Sequence, residues 1–455
     1  MEKILYRSTN GKAPIVSFKE ALLNGQAPDY GLYVPTFIPK IRIDEIKCLK
    51  QKPYFEVAFH ILYKFLKGEI GEKELFEMCK NVYDFDVPII EIEKGKLYIL
   101  RLDKGPTCSF KDFAAKMMAS LMEYFAKEEN KKLTVLVATS GDTGGAVANS
   151  FYKKENIKVV VLFPVEEVSE RQRKQMTTLG ENILPIGIKG KFDDCQNFVK
   201  RAFNDISLSS LNLTSANSIN IGRLLPQIVY YFYAYLKFEK EIVFSVPSGN
   251  FGNLMGGVIG KKMGLPVKKF LVAVNENNEF PEFLRTGEYM PVIPSKKCSS
   301  NAMNVGHPSN FARLIDIYGG WIMDERDKDG KVIKYGVMKR KPDMEKMRND
   351  FISFSISNEE VDETIKNYYQ KYKIVIEPHT AVGIKSYEKS QISDLVIVLQ
   401  TADPAKFPEK IKQLLNIEPK IPEALAKILT KKEDSFDVLE NNYDVFKKYL
   451  LDKIK

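Results

Sequence analysis

The sequence predicts an α/β protein with two open, mostly parallel, twisted sheets and flanking helices. Three observations carry the prediction. Strand-like apolar runs alternate with helical patterns between 133 and 217, a second such series runs from Ile242 to Gln400, and glycine-rich turns stand where strands give way to helices. Alternation of this kind implies right-handed βαβ crossovers and so parallel pairing. With 455 residues the chain can fill two or three domains.

An N-terminal α+β region covers residues 1 to about 92, with amphipathic helices expected at Val16–Leu23 and Pro53–Lys67. The apolar strand Lys96–Leu102 leads, past Lys111, into a helix bearing Phe113, Met117, Leu121 and Phe125 at a spacing of four, with Met118 and Met122 alongside. The first alternating series has strand Leu133–Ala138, a helix through Ala146–Ala148, strand Val159–Phe163, a helix capped by Ser169 with Gln172 three residues on, strand Ile183–Gly187, helix Asp193–Phe203 and strand Leu211–Thr214. The second has strands at Ile242–Pro247, Phe270–Val274, Ile374–Ile376 and Leu395–Leu399. Weak periodicity and many Gly, Pro and Lys residues predict a long irregular insertion over about 280–345, and charged helical faces predict a helical segment over 407–455. Loops at strand carboxyl ends put the natural ligand site in a crevice between the two sheets.

Composition bounds the function without naming it. An apolar share of 44% with 28% charged residues is ordinary for a globular protein. The N-terminus lacks the apolar run of a signal peptide and no segment has the length of a membrane span, so a cytoplasmic protein with no membrane partner is expected. Five widely spaced cysteines without metal-type spacing point to reduced thiols and no metal site. The net charge of +9 is spread in short clusters with no aromatic interleaving, which argues against a nucleic-acid partner. A generally positive surface would speed the arrival of anionic ligands. The sequence assigns no oligomeric state.

Lys111, between an apolar strand and an apolar helix, reads as a Schiff-base lysine. Partial desolvation and the positive end of a helix both disfavour its ammonium form, leaving neutral amine to attack an aldehyde. Two glycine loops, Thr139–Gly145 and Ser248–Asn253, each follow a strand and open a helix, the layout of an anion cradle. Neither matches a nucleotide-binding motif.

The runs Gly105-Pro-Thr-x-Ser-Phe-Lys-Asp-Phe113, Thr139-Ser-Gly-Asp-Thr-Gly144 and Pro247-Ser-Gly-Asn-Phe-Gly-Asn253, in this order, resemble threonine synthase in its longer branch. So do Asp29–Pro35, Asn217–Asn220, Asn301–Asn304, Glu377–Thr380 and Thr401–Phe407, so the resemblance spans nearly the whole chain. It implies pyridoxal 5'-phosphate (PLP) as cofactor on a PLP-dependent fold type II, and conversion of O-phospho-L-homoserine and water into L-threonine and phosphate. It also implies a larger cofactor-binding domain from 93–112 and 218–406, a smaller mobile domain from 113–217, and separate N-terminal (1–92) and C-terminal (407–455) segments.

The resemblance also implies a role for each site residue. Lys111 holds the cofactor and then carries protons. The amides of Ser248, Gly249, Asn250, Phe251, Gly252 and Asn253 take the cofactor phosphate, and Thr401 meets the pyridine nitrogen. Asp142 faces the cofactor's 3-oxygen, either sharing a proton with it or turning toward a donor. Ser140 and Thr143 receive the substrate α-carboxylate. Asn217, Ser218 and Arg223 grip the substrate phosphate, a task suited to a guanidinium, with Lys104 as a further contact. His307 and His379 orient loops.

Two positions depart from the family pattern, Lys104 and Asp403, where histidine is expected. The implied chemistry is γ-elimination of phosphate followed by β-addition of water. A phospho-lyase giving 2-oxobutyrate, another PLP enzyme acting on serine or threonine, and a non-catalytic ligand- or RNA-binding protein on the same fold are the alternatives. Retention of Lys111 and both glycine loops speaks against the last.

Overall fold

The computed structural model describes residues 3–139, 141–327 and 330–454. Two open sheets dominate it. The larger has six strands in the order Phe351–Ser355, Val267–Val274, Ile242–Pro247, Val396–Gln400, Leu97–Arg101 and Ile89–Glu93. All its pairings are parallel except the last, which is antiparallel. The smaller has five parallel strands in the order Asp437–Glu440, Ile183–Lys189, Ile157–Pro164, Leu133–Ala138 and Leu213–Ser215. The central strands Leu133–Ala138 and Ile242–Pro247 are buried at every position, as sheets covered by helices on both faces require. The α/β class and the two parallel sheets stand as predicted.

Helix boundaries follow the sequence signals closely. The helix predicted from Val16 begins at Phe18, because Ser17 caps it and forms a reciprocal box with Glu20. Ser169 and Gln172 make the same box ahead of Glu170–Thr177. The helix Tyr54–Leu66 presses Phe59, Ile61, Leu62 and Phe65 into the main core. Lys111 begins an 18-residue helix, Lys111–Glu128, whose Phe113, Met117, Leu121 and Phe125 are buried as the spacing demands.

Three expectations are corrected. Ile374–Ile376 forms no strand. Lys373, at φ +56°, ends the helix Asn358–Tyr372 and Glu377 caps the next, so this apolar run is a core-filling connector, with Ile376 fully buried. Its place in the sheet is taken by Phe351–Ser355, which pairs with Val267–Val274. The region over 280–345 is not irregular throughout: it carries helices Glu279–Thr286 and Phe311–Ile317 and an antiparallel pair, Trp321–Arg326 with Val332–Arg340. The C-terminal segment is mainly helical, but Asp437–Glu440 adds an edge strand to the smaller sheet, and the helix Tyr443–Lys453 packs Phe446 against Phe198.

Candidate active site

The chain leaving strand Leu97–Arg101 runs beside the chain leaving strand Val396–Gln400. Phe110 donates its amide to the Thr401 carbonyl at 2.9 Å, and Asp403 donates to the Cys108 carbonyl at 3.0 Å. This pairing brings Lys111, Thr401 and Asp403 to the carboxyl ends of two adjacent interior strands of the larger sheet. Thr107 is fixed by Asp112, whose carboxylate accepts its amide at 2.9 Å and its hydroxyl at 2.6 Å. Gly105 is required there, since a Cβ would stand 2.5 Å from the Asp112 carboxylate.

From the smaller sheet, strand Leu133–Ala138 delivers Asp142 at the first position of helix Asp142–Phe151. The Thr139 hydroxyl shapes the turn by accepting the amides of Gly141 at 2.9 Å and Gly144 at 2.8 Å. Asp142 Oδ2 lies 4.0 Å from Lys111 Nζ. Its other oxygen meets Lys406 Nζ at 2.8 Å and accepts Gln172 Nε2 at 3.2 Å. Burial alone would raise this carboxyl, but Lys406 and Lys111 outweigh it and hold Asp142 well below the usual carboxylate range. Of the two expectations for Asp142, a shared raised proton or a turn toward a donor, the geometry shows the second, with Lys406 Nζ and Gln172 Nε2 as the donors. The residue is a carboxylate between two lysines. Thr143 is half-buried in the same turn, and Ser140 lies outside the described residues.

Burial lowers Lys111 to about 8, Asp142 opposing the change and Lys406 and Arg223 adding to it. The amine is therefore partly neutral near physiological pH, which is what attack on an aldehyde needs.

The second glycine loop is held from three sides. Ser248 turns its hydroxyl back to the Val246 carbonyl at 2.8 Å, leaving the loop amides rather than that side chain to face a ligand. Asn250 donates to Ser218 Oγ at 2.6 Å and accepts the Ser309 amide. Phe251, at φ +60°, turns the chain into helix Gly252–Met263, whose first amides have no intrahelical partner. Asn253 accepts the hydroxyls of Tyr230 and Tyr231 and so points into the core. Beneath Gly249 lie Ala302 and Met303. The Ala302 amide donates to His379 Nε2 at 3.2 Å, and His379 Nδ1 contacts the buried Glu377 carboxylate at 2.6 Å. Both histidines hold loops as expected: His307 bridges Tyr289 and Asp324.

Asn217 donates to the Ala138 carbonyl at 3.3 Å, tying its loop to the end of strand Leu133–Ala138. Arg313 donates to the carbonyls of Ser218 and Ile219 from the opposite side. Arg223, 4% exposed, follows on the short helix Ile221–Leu224. Lys104 is exposed and lies 3.8 Å from Asp103. Asp103 forms a double contact with Arg101, which also lies 3.5 Å from Asp403.

The sequence missed Lys406, Gln172 as a partner of Asp142, and the Arg101–Asp103 pair. Lys406 stands within the family run Thr401–Phe407, but a lysine in a turn carries no signal that it faces inward.

The residues fit a phosphate-bearing aldehyde. A buried amine, an uncapped helix N-terminus and a buried guanidinium whose Nε has no partner among the described residues supply what its two functional groups and a phosphorylated substrate need.

Comparison with known proteins agrees. Residues 85–401 match the family model described as pyridoxal-phosphate dependent enzyme, residues 5–83 that of the threonine synthase N terminus, and residues 380–450 that of its C-terminal part. The chain is similar to the threonine synthase of Haemophilus influenzae, at 37% identity over 96% of this chain and 97% of the relative. Its structure resembles the crystal structure of PLP-bound threonine synthase from Brucella melitensis, with a TM-score of 0.91, 34% identity and full coverage of both chains. It also resembles the Escherichia coli threonine synthase, with a TM-score of 0.86, 33% identity and 98% and 99% coverage.

Proposed function

This chain belongs to the threonine synthase family of PLP-dependent enzymes, and from that premise we infer that the residues around Lys111 convert O-phospho-L-homoserine and water into L-threonine and phosphate. The observation that carries the reading is a buried lysine, lowered to about 8 and within electrostatic reach of a buried arginine whose Nε has no partner among the described residues, in a chain whose second glycine loop opens a helix with free N-terminal amides. Membership in this family of lyases sets aside the non-catalytic alternative.

PLP, when bound, supplies an aldehyde that condenses with amines and a ring system that accepts an electron pair. Lys111 Nζ would hold it and, once its amine is free, would take the proton from the substrate Cα. The amides from Ser248 to Asn253 would bind the cofactor phosphate, and Thr401 would hydrogen-bond the pyridine nitrogen without the charge of a carboxylate. Asp142 would face the 3-oxygen. Ser140 and Thr143 take the α-carboxylate.

Arg223, Asn217 and Ser218 hold the substrate phosphate as it leaves Cγ and keep it near the water that adds at Cβ. Lys104 adds positive charge. Polar contacts already join the smaller sheet's helix Glu170–Thr177 to the larger unit: Gln175 donates to the Thr107 carbonyl and Arg171 to the Ala405 carbonyl. Closure of the smaller unit, 113–217, along this seam excludes bulk water from the reacting carbons. The proposal includes a cytoplasmic setting, which suits five free cysteines, and no nucleic-acid or membrane partner. No described helix is long and apolar enough to cross a membrane.

The test is paired measurement of phosphate and L-threonine from O-phospho-L-homoserine with PLP-loaded protein. Equal release is expected. Phosphate accompanied by 2-oxobutyrate and ammonia, without threonine, would replace this reading with a phospho-lyase.

A further inference from the structure

Two ammonium groups and one carboxylate share a buried space at the site, and their spacing is unequal. Lys406 Nζ is 2.8 Å from Asp142 Oδ1, whereas Lys111 Nζ is 4.0 Å from Oδ2. Lys406 is 3% exposed, so its charge is not satisfied by water. We propose that Lys406 is a positioning residue, the counter-cation that keeps Asp142 a carboxylate beside the cofactor while leaving the Lys111 amine free to be neutral. The inference rests on the reading that Lys111 carries the cofactor and deepens it.

Charge balance supports this role. A lone carboxylate at Asp142 would draw Lys111 into a close ion pair and hold it as ammonium, the form unable to attack an aldehyde. It would also stand unneutralised next to the cofactor's 3-oxygen. Pairing Asp142 with a second cation removes both obstacles, and the second cation further disfavours a charge on Lys111 by repulsion. The direction found for Lys111 agrees: burial is the main cause, Asp142 opposes it, and Lys406 works against the ammonium.

The geometry fixes Lys406 in this task at both ends. Its backbone lies in the turn Pro404–Lys406, capped by Asp403, whose side chain accepts the Ala405 amide at 2.9 Å. Its amine donates to the Thr107 carbonyl at 3.1 Å, a carbonyl that also accepts Gln175 Nε2 at 3.2 Å. Thr107 is in turn held by Asp112, the residue after Lys111. The three charged groups are thus kept in register by bonds to one short segment. The other ionisable groups acting on them are Arg223 and Glu377 on Lys111, His379 on Asp142, and Asp112 and Cys108 near Lys406. Of the two lysines that contact Asp142, Lys406 makes the shorter ion pair, 2.8 Å against 4.0 Å for Lys111.

The experiment uses the full-length PLP-loaded enzyme. Borohydride reduction and peptide mapping of the parent first locate the cofactor. An adduct elsewhere than Lys111 would overturn the underlying reading, whatever the pH titration gives. The cofactor's visible absorbance is then titrated with pH in the parent, Lys406→Met, Lys406→Arg and the same Met change in an Asp142→Asn background.

Loss of the Lys406 charge should raise the spectral midpoint by about one pH unit or more. Arg should restore most of it, and the shift should shrink when residue 142 is neutral. Should Lys406→Met fail to fold, Lys406→Gln, which can still donate to Thr107, reads the same comparison. A parent-like midpoint in the uncharged variants, or an equal shift with and without the Asp142 charge, would overturn the proposal.

Discussion

Arg223, on the short helix Ile221–Leu224, donates a guanidinium N–H to the carbonyl of Ala216 at 2.7 Å, seven residues back, while its Nε finds no partner among the described residues. Burial lowers the group to about 10, with Asp112 opposing. A buried cation bound only to a carbonyl favours an anion that accepts its remaining donors, and a charge-assisted bond of that kind is worth about 1.5–3 kcal/mol. Arg223→Met should therefore raise KM for O-phospho-L-homoserine about 10- to 100-fold. Inorganic phosphate should raise the melting temperature of the parent and leave that of the variant unmoved. A variant stabilised by phosphate as strongly as the parent would remove Arg223 from the anchor.

Lys111 sets a pH window for loading. With the amine lowered to about 8, about one-tenth is neutral at pH 7, against less than one-thousandth for an ordinary lysine. Reconstitution of the apoenzyme with PLP should accelerate about tenfold between pH 6 and 7, flatten above pH 8, and show no further rise toward pH 10. Stopped-flow absorbance gives the profile. A rate still climbing tenfold per unit beyond pH 9 would mean an unperturbed amine.

The same lysine costs stability. Its folded value lies below its unfolded one, so the unfolded chain binds more protons between about pH 8 and 10.5, and parent stability should rise with pH across that window. Below it the cost is fully present, at most about 3 kcal/mol. Apo Lys111→Met should unfold at higher denaturant than the apo parent at pH 7, and the difference should narrow as pH approaches 10.

These charges were unequally legible in the sequence. Lys111 announced itself because a glycine-bearing turn joins a strand to a helix there, a local pattern with a local cause. Arg223 and Asn217 were legible only as parts of a familiar run. Lys406 was not, because its inward course depends on the Thr107 carbonyl, 299 positions away in the chain. The strand at Phe351–Ser355 and the connector at Ile374–Ile376 were exchanged for the same reason. Both are short apolar runs, and which one joins the ladder is decided by where the helices Asn358–Tyr372 and Pro378–Ser390 end and begin.

Asp403 shares one guanidinium with Asp103. Arg101 forms its double contact with Asp103 and reaches Asp403 only at 3.5 Å. Burial raises Asp403 to about 6, with Asp103 adding to the effect. Here the folded value exceeds the unfolded one, so the stabilising contribution is fully present below about pH 4 and is lost as pH rises through about 6. Asp403→Asn, which can still cap Ala405, should be the more stable protein at pH 7 by about 1–2 kcal/mol. It should lose the decline between pH 4 and 6 attributable to this group, as measured by urea unfolding. Lower stability of the variant at pH 7 would show that the carboxylate is needed by Arg101.

Gly249 tests the cofactor cradle by sterics alone. A Cβ there would meet the Ala302 carbonyl oxygen and Met303 Cα at 2.9 Å, both backbone atoms that cannot rotate aside. Ala302 is pinned through His379, and His379 by the buried Glu377, so the strain should pass into the Ser248–Asn253 loop instead. Gly249→Ala is expected to weaken PLP binding at least tenfold, or about 1.4 kcal/mol, while kcat at saturating PLP falls less. Releasing the support with His379→Asn in the same chain should return part of that affinity, because the Ala302 turn could then retreat. Equilibrium dialysis of PLP against the single and double variants measures both effects, and additive losses would mean that His379 does not brace this loop.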